Sequence, residues 1–198
     1  MAEMSAPTLP LNVDATDVKP NGHVFALVGN PNVGKSVVFH RLTGTYVNVS
    51  NYPGTTVNVS RAAARFEHGA EVLDTPGVLA LPARSDDEHA TMRALLHENL
   101  RALAQVGDAK SLRRTLALSL VVADLGLPWV LALNMADEAR ARGVGVDLRG
   151  LSCAIGAPVI ETVATRGEGI KHLAEVLKRA AAEHGKPMHF RYPDAVEP

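Results

Sequence analysis

Gly29-Asn30-Pro31-Asn32-Val33-Gly34-Lys35-Ser36 is the stretch of this sequence that decides the fold. It follows the apolar run from Val24 to Val28, which predicts a buried strand, and it precedes residues 35–42, which have helical character. The order strand, glycine-rich turn and helix predicts a phosphate-binding loop, where backbone N–H groups and the positive end of a helix dipole surround a phosphate. We expect the Lys35 ammonium to reach the β- and γ-phosphates and the Ser36 hydroxyl to bind Mg²⁺.

A second motif, Asp74-Thr75-Pro76-Gly77, ends a later predicted strand. Because parallel strands end at the same edge of a sheet, we expect the Asp74 carboxylate to hold Mg²⁺ through water. The Gly77 N–H is expected to meet the γ-phosphate. Between the two motifs, Thr56, with Thr55 as the adjacent alternative, is expected to complete the Mg²⁺ shell when a γ-phosphate is present. The other interpretation of that segment is an ordinary mobile loop.

A third motif, Asn134-Met135-Ala136-Asp137, follows the predicted strand from Trp129 to Leu133. A carboxylate at Asp137 can accept hydrogen bonds from N1–H and N2–H₂ of guanine, a donor pair that adenine lacks, and leaving a buried partner unpaired costs about 1–3 kcal/mol. Met135 stands where such motifs usually have lysine, and its thioether can pack on the base. The pattern N-x-x-D alone is also compatible with a helix cap. A fourth segment, Val163-Ala164-Thr165, follows the last predicted strand, and in related domains this loop contacts guanine O6.

The alternation of strands and helices predicts a mostly parallel sheet with helices on both faces. The predicted strands cover residues 24–28, 57–63, 71–73, 129–133 and 158–160, and the predicted helices cover 35–42, 86–103, 111–125 and 170–183. The strand at 57–63 is expected at an exposed edge, after a loop over 44–56. Residues 100–106 are ambiguous, because the fold requires a strand where the local propensity is also helical.

Composition limits the classes of function. With 198 residues, 46% hydrophobic residues and a net charge of −1, the chain fits one globular domain without a global attraction to nucleic acid or acidic lipid. The single cysteine, Cys153, cannot form an intramolecular disulfide and is expected to be a core thiol. No pair of histidines has zinc or iron ligand spacing. Lys110, Arg113 and Arg114 are predicted to form a solvated helix face, as are Arg140, Arg142 and Arg149.

With these motifs in place, the chain resembles the FeoB family of bacterial ferrous iron transporters. The matching stretches are GNPNVGKS at 29–36, NYPGTTV at 51–57, DTPG at 74–77, NMAD at 134–137 and TRGEGI at 165–170. The resemblance implies an α/β, Ras-like P-loop GTPase fold with six strands, five parallel and one antiparallel. It also implies a flexible leader over 1–22, a GTP-binding G domain over 23–184, and a linker over 185–198 toward a helical domain and a membrane permease that we expect to be absent from this chain.

The resemblance implies GTP or GDP as the ligand, with Mg²⁺ and K⁺ as cofactors. Nucleotide binding is assigned to Gly29, Asn30, Pro31, Asn32, Val33, Gly34, Lys35, Ser36, Val37, Asn134, Met135, Asp137, Val163, Ala164 and Thr165. Ser36, Thr56 and Asp74 are assigned to Mg²⁺. Asn32 is assigned to K⁺, which would offset transition-state charge as an arginine finger does, although Asn32 alternatively only shapes the loop. The residues expected to assist catalysis are Lys35, Asn32, Thr56 and Gly77.

The expected function is GTP binding and slow GTP hydrolysis that regulates or drives ferrous iron uptake through the permease. Hydrolysis is expected to be slow because Val78 stands where Ras-like enzymes have a glutamine that orients water. The expected location is the cytoplasmic face of the bacterial inner membrane, and this part of the protein is expected to be soluble. No nucleic-acid partner is expected, and a homo-oligomer is one of the possible assemblies. The alternatives are a soluble Era- or EngA-like GTPase acting on RNA or the ribosome, and a regulatory module that binds GTP and barely hydrolyses it.

Overall fold

The computed structural model describes residues 23–44, 48–51, 58–77, 85, 88–89, 91–92, 95 and 98–183. The predictions for the leader, Thr55, Thr56, Val78 and the linker lie outside these residues. The strands are β1 His23–Gly29, β2 Asn48–Asn51, β3 Asn58–Ala63, β4 Ala70–Asp74, β5 Leu100–Asp108, β6 Trp129–Asn134 and β7 Val159–Glu161. The helices are α1 Lys35–Thr43, α2 Leu112–Asp124, α3 Ala136–Ala141, α4 Leu148–Ile155 and α5 Ile170–Ala182, and residues 88–89, 91–92 and 95 are also helical.

The strands form one sheet in the order β2-β3-β4-β1-β5-β6-β7. From β4 to β7 every neighbouring pair is parallel, and β3 runs antiparallel to β4. The predicted six-stranded sheet with one antiparallel strand is therefore confirmed. A short seventh strand, β2, pairs antiparallel with β3. The loop predicted over 44–56 is wrong for Asn48–Asn51, and β3 is not the edge strand, because β2 folds back along it.

Two apolar layers cover the sheet, one on each face. Along β1, Phe25 and Leu27 belong to the layer that includes α1 and α5, whereas Val24, Ala26 and Val28 belong to the layer that includes α2 and α4. Successive side chains of a strand point to opposite faces, so a strand buried on both faces has no polar alternation. The buried centre of the sheet fixes the ends of the strands, and the loops that carry the sequence motifs follow these ends.

The central strand β5 corrects the helix predicted over 86–103, because residues 100–103 pair with β1 and β6 instead. Two residues of β5, Gln105 and Gly107, both meet Thr115 of α2. Gln105 is fully buried, and its Nε2 donates to the Thr115 carbonyl at 2.8 Å. A Cβ on Gly107 would collide with the Thr115 side chain. Tertiary contacts thus override the weak local propensity of this segment.

Cys153 is exposed, so the prediction of a core thiol is wrong. On α4 the apolar contacts are made by Leu148, Leu151 and Ile155, which recur at the spacing of one helix face. Cys153 lies on the other side of that helix. Within the described part of the chain, no helix combines the length and the apolar character needed to cross a membrane.

Candidate functional site

All four sequence motifs lie at one edge of the sheet. The phosphate-binding loop follows β1, the residues 74–77 follow β4, the residues 134–137 follow β6, and the residues 163–165 follow β7. These four strands are parallel, so their carboxyl ends share this edge, which is where open α/β sheets bind ligands. The fold therefore brings the motifs together although more than a hundred residues separate the first from the last.

The loop from 29 to 36 has the backbone geometry that a phosphate cradle needs. Asn32 and Gly34 both have a left-handed backbone, with φ of 65° and 82°. A Cβ on Gly34 would collide with the Asn134 amide, and one on Gly77 would lie 3.0 Å from the Pro31 ring. Helix α1 begins directly after Gly34, so its first N–H groups point into the loop.

Lys35 and Ser36, at the start of α1, both contact Asp74 at the end of β4. The Lys35 ammonium donates to Asp74 Oδ1 and to the Thr75 carbonyl, and the Lys35 and Asp74 side chains are only 10% and 11% exposed. Ser36 Oγ donates to Asp74 Oδ2 at 3.3 Å. Thr75 is itself fixed, because its hydroxyl donates to the Leu27 carbonyl at 2.8 Å. A hydroxyl and a carboxylate held side by side are the oxygen ligands that Mg²⁺ prefers, so these residues fit that ion.

The Asn134 side chain links the loop at 29–36 to the loop at 163–165. Its Nδ2 donates to the Val33 carbonyl of the phosphate loop at 2.9 Å. Its Oδ1 accepts from the Ala164 N–H at 3.0 Å and from the Thr162 hydroxyl at 3.2 Å. The side chain is buried, and its amide already has partners on both atoms. Asn134 therefore acts by setting the distance between two loops, a role that the motif alone did not reveal.

Asp137 lies in the first turn of α3, after a left-handed turn at Met135 with φ of 60°. Its side chain is 31% exposed, and Arg166 Nη1 lies 3.2 Å from Asp137 Oδ2. The Arg166 Nε also donates to Glu168 at 2.7 Å. This hydrogen bond, with the negative charges of Glu168 and Asp137 nearby, raises the pKa of Arg166 above its ordinary value. Arg166 thus places a positive charge beside the Asp137 carboxylate.

Sequence reasoning missed Arg41, which ties α1 to the loop at 163–165. Its Nε donates to the Ala164 carbonyl at 2.8 Å, and its Nη2 donates to the Thr165 carbonyl. These partners are 123 and 124 residues away, so no local pattern marks them. Arg41 also lines an open groove of about 560 Å³ together with Ser36, Val37, His40, Gly44 and Arg65. The loop at 163–165, called the base loop below, is consequently supported by the same helix that carries Lys35 and Ser36.

The remaining predicted residues differ in burial. Asn32 is exposed, whereas Asn30 is buried. Val163 pairs through its backbone with Glu168, which fixes the loop that contains Ala164 and Thr165. Among the described residues there is no cluster of three or more His, Cys, Asp or Glu side chains that could hold a metal ion.

A family model described as ferrous iron transport protein B matches residues 23–177 of this chain. The fusion of Fe(2+) transport protein A and Fe(2+) transporter FeoB from Porphyromonas gingivalis is 38% identical over 192 residues, which cover 92% of this chain and 22% of that protein. The Fe(2+) transporter FeoB of Escherichia coli K12 is 36% identical over 177 residues, which cover 85% and 23%. The chain therefore spans less than a quarter of the length of these relatives.

Solved structures agree with the fold. The cytosolic domain of the Thermotoga maritima FeoB iron transporter in a GDP form superposes with a TM-score of 0.81 at 31% identity, covering 89% of this chain and 70% of that one. A point mutant of S. thermophilus NFeoB bound to mGDP gives a TM-score of 0.80 at 30% identity, covering 88% and 67%. The cytosolic domain of L. pneumophila FeoB gives 0.77 at 34% identity, covering 87% and 74%. The predicted Ras-like α/β fold class is confirmed.

Proposed function

The chain belongs to the FeoB family of ferrous iron transport proteins, and we propose that it binds GTP and GDP and hydrolyses GTP slowly with Mg²⁺, under stimulation by K⁺. We propose further that this cycle regulates or drives ferrous iron uptake through a membrane permease region. The observation that carries the proposal is the buried Asn134 bridge between the Val33 carbonyl and the Ala164 N–H. It holds a phosphate cradle and a base loop at a fixed distance, as one nucleotide requires.

The phosphate half of the site is prepared for a charged ligand. The Lys35 ammonium lies between Asp74 and the Thr75 carbonyl, so it can turn from these oxygens to phosphate oxygens at little cost in geometry. Bound Mg²⁺ would neutralise phosphate charge in the triphosphate state, with Ser36 and Asp74 as its protein ligands. The Gly77 N–H is assigned to the γ-phosphate, and Thr56 is assigned to the Mg²⁺ shell when that phosphate is present. These residues position and stabilise; none of them is a strong base.

The base half supports guanine over adenine. The Asp137 carboxylate is partly exposed and stands beside Arg166, so it is open to a ligand. Met135 offers an apolar wall, and the loop at 163–165 is assigned to the O6 side of the base; its Val163 N–H donates to the Glu168 carbonyl and its Ala164 N–H to Asn134 Oδ1. Relatives with this fold hold GDP or mGDP, which supports the same ligand class here.

Potassium stimulation is the finer part of this proposal, and it rests on Asn32. The side chain is exposed on the phosphate loop, where the backbone is left-handed with φ of 65°. We expect GTP hydrolysis to be several-fold faster in KCl than in NaCl at equal ionic strength, because a bound monovalent cation offsets developing phosphate charge. The Asn32→Ala variant should lose that gain, whereas the exposed control Asn99→Ala should keep it. Equal rates of wild-type phosphate release in the two salts would contradict the potassium role.

The time course of phosphate release from GTP also distinguishes an enzyme from a domain that only binds GTP. Multiple-turnover phosphate release supports a slow GTPase, whereas a single stoichiometric burst supports a domain that only holds GTP. The Era-like alternative is not favoured, since the family match covers residues 23–177 and the described guanine motif carries Met135 in place of lysine.

The iron-uptake role is tested in the source cells. We expect an antibody raised against this domain to detect a large protein confined to the membrane fraction, because the relatives that this chain matches are transporters about four times its length. A soluble band near 21.0 kDa would contradict the permease connection and would direct attention to RNA and ribosome binding instead.

A further inference from the structure

Lys110 lies next to the guanine motif, in the turn between β5 and α2. Sequence analysis assigned it to a solvated helix face, and the structure corrects this, because its side chain is only 15% exposed. Its ammonium lies 3.3 Å from the sulfur of Met135 and 2.5 Å from Glu138 Oε2, with Asp108 Oδ2 at 3.8 Å. The neighbouring arginines Arg113 and Arg114 are exposed on α2, as predicted.

The backbone holds Lys110 at this position. The Ala109 N–H donates to the Asn134 carbonyl at 2.9 Å, so the turn is attached to the first residue of the guanine motif. The Lys110 N–H donates to Asp108 Oδ1 at 2.9 Å, and the Asp108 and Asn134 residues pair in register across β5 and β6. The pairing of β5 with β6 and the hydrogen bonds of the turn therefore fix the position of the Lys110 backbone. The contact with Met135 does not depend on attraction between the two side chains alone.

Met135 connects this ammonium to the phosphate loop. Its sulfur contacts Lys110, and its methyl carbon would lie 3.8 Å from a Cβ built on Gly34. The thioether thus runs along the wall between the phosphate loop and the β5–α2 turn, on the side of the site where the base is proposed to stack. Two carboxylates, Asp108 and Glu138, lie beside Lys110, and without its ammonium they would repel an anionic nucleotide.

We propose that Lys110 supplies to the bound nucleotide the cation that the guanine motif lacks at Met135. Lys110 holds the thioether against the base face and places an ammonium at the edge of the nucleoside, where it also offsets the surrounding carboxylates. This inference rests on the proposed guanine-nucleotide function. An ion pair with the half-exposed Glu138 alone would contribute little to folding and nothing to ligand affinity.

The test is a titration of the whole chain with a fluorescent GDP analogue, together with its dissociation rate. We expect Lys110→Ala to weaken binding roughly tenfold, mostly through faster dissociation, as loss of one charge-assisted contact implies. The double variant Lys110→Ala with Met135→Lys should recover wild-type affinity to within about threefold, because it restores a cation from the adjacent position. Arg113→Ala removes the same charge from an exposed site on α2 and should bind as the wild type does.

The outcomes separate the inference from the function on which it rests. Wild-type affinity in Lys110→Ala overturns the role of Lys110 and leaves the proposed function intact. Weakened binding that Met135→Lys does not recover, with a lower melting temperature of the nucleotide-free variant, reduces Lys110 to a support of the turn and also overturns the inference. Absence of guanine-nucleotide binding by the wild-type chain overturns the proposed function itself.

Discussion

Replacing Lys35 by alanine should lower the affinity of this chain for GTP and GDP by at least about a hundredfold, as loss of charge-assisted hydrogen bonds to phosphate implies. The Lys35 ammonium donates to Asp74 and to the Thr75 carbonyl beside the phosphate loop. Without it, Mg²⁺ alone would offset the charges of the Asp74 carboxylate and the phosphates. Calorimetric titration of the variant with each nucleotide measures the effect.

The control for this prediction is Lys178→Ala, which removes the same side chain from the exposed surface of α5. It should bind nucleotide with wild-type affinity. The ion pair between Lys35 and Asp74 is largely buried, so Lys35→Ala should also lower the melting temperature of the nucleotide-free chain. Retained nucleotide affinity in a folded Lys35→Ala variant would mean that the phosphates bind elsewhere.

The second large effect is expected from Asp137→Asn, which should exchange guanine for xanthine specificity. The carboxylate of Asp137 accepts two hydrogen bonds, matching the N1–H and N2–H₂ donors of guanine. An amide offers one acceptor and one donor, which matches the N1–H and the carbonyl oxygen of xanthine. We expect GTP affinity to fall by about a hundredfold or more, because an unpaired buried donor costs about 1–3 kcal/mol for each partner. Competition of GTP and XTP for the variant measures the exchange.

Glu175→Gln is a matched change from carboxylate to amide on the exposed face of α5, and it should leave the preference for GTP unaltered. Arg166 pairs with Asp137, so Asp137→Asn also removes an ion pair at the surface. Surface pairs of this kind contribute about 0–1 kcal/mol, too little to account for a hundredfold change. Unchanged discrimination between GTP, XTP and ATP in Asp137→Asn would show that the base site has been misplaced.

Local signals in the sequence were sufficient for the elements that carry the site. The phosphate loop, β1 and α1 follow from an apolar run, fixed glycines and a helical segment that are adjacent in the chain. The motifs at 74–77 and 134–137 could be placed at the same sheet edge, because parallel strands end together. Strand β5 was ambiguous, since Gln105 and Gly107 are adapted to Thr115, a residue of the following helix.

Contacts between distant parts of the chain could not be predicted in this way. Arg41 donates to the Ala164 and Thr165 carbonyls, which lie 123 and 124 residues later in the chain, and Lys110 contacts Met135 from the end of the neighbouring strand. Both look like ordinary surface cations when only their sequence neighbours are considered. The prediction that Cys153 is a core thiol was wrong for a related reason, because its exposure depends on which face of α4 packs on the sheet.

The measurement that tests the central claim most directly is a paired titration of the unmodified chain with GDP and ADP in the presence of Mg²⁺. The account predicts saturable binding of GDP at one site and at least about a hundredfold weaker binding of ADP, since adenine lacks the donor pair that Asp137 accepts. Equal affinity for the two nucleotides, or no binding of GDP, would contradict it.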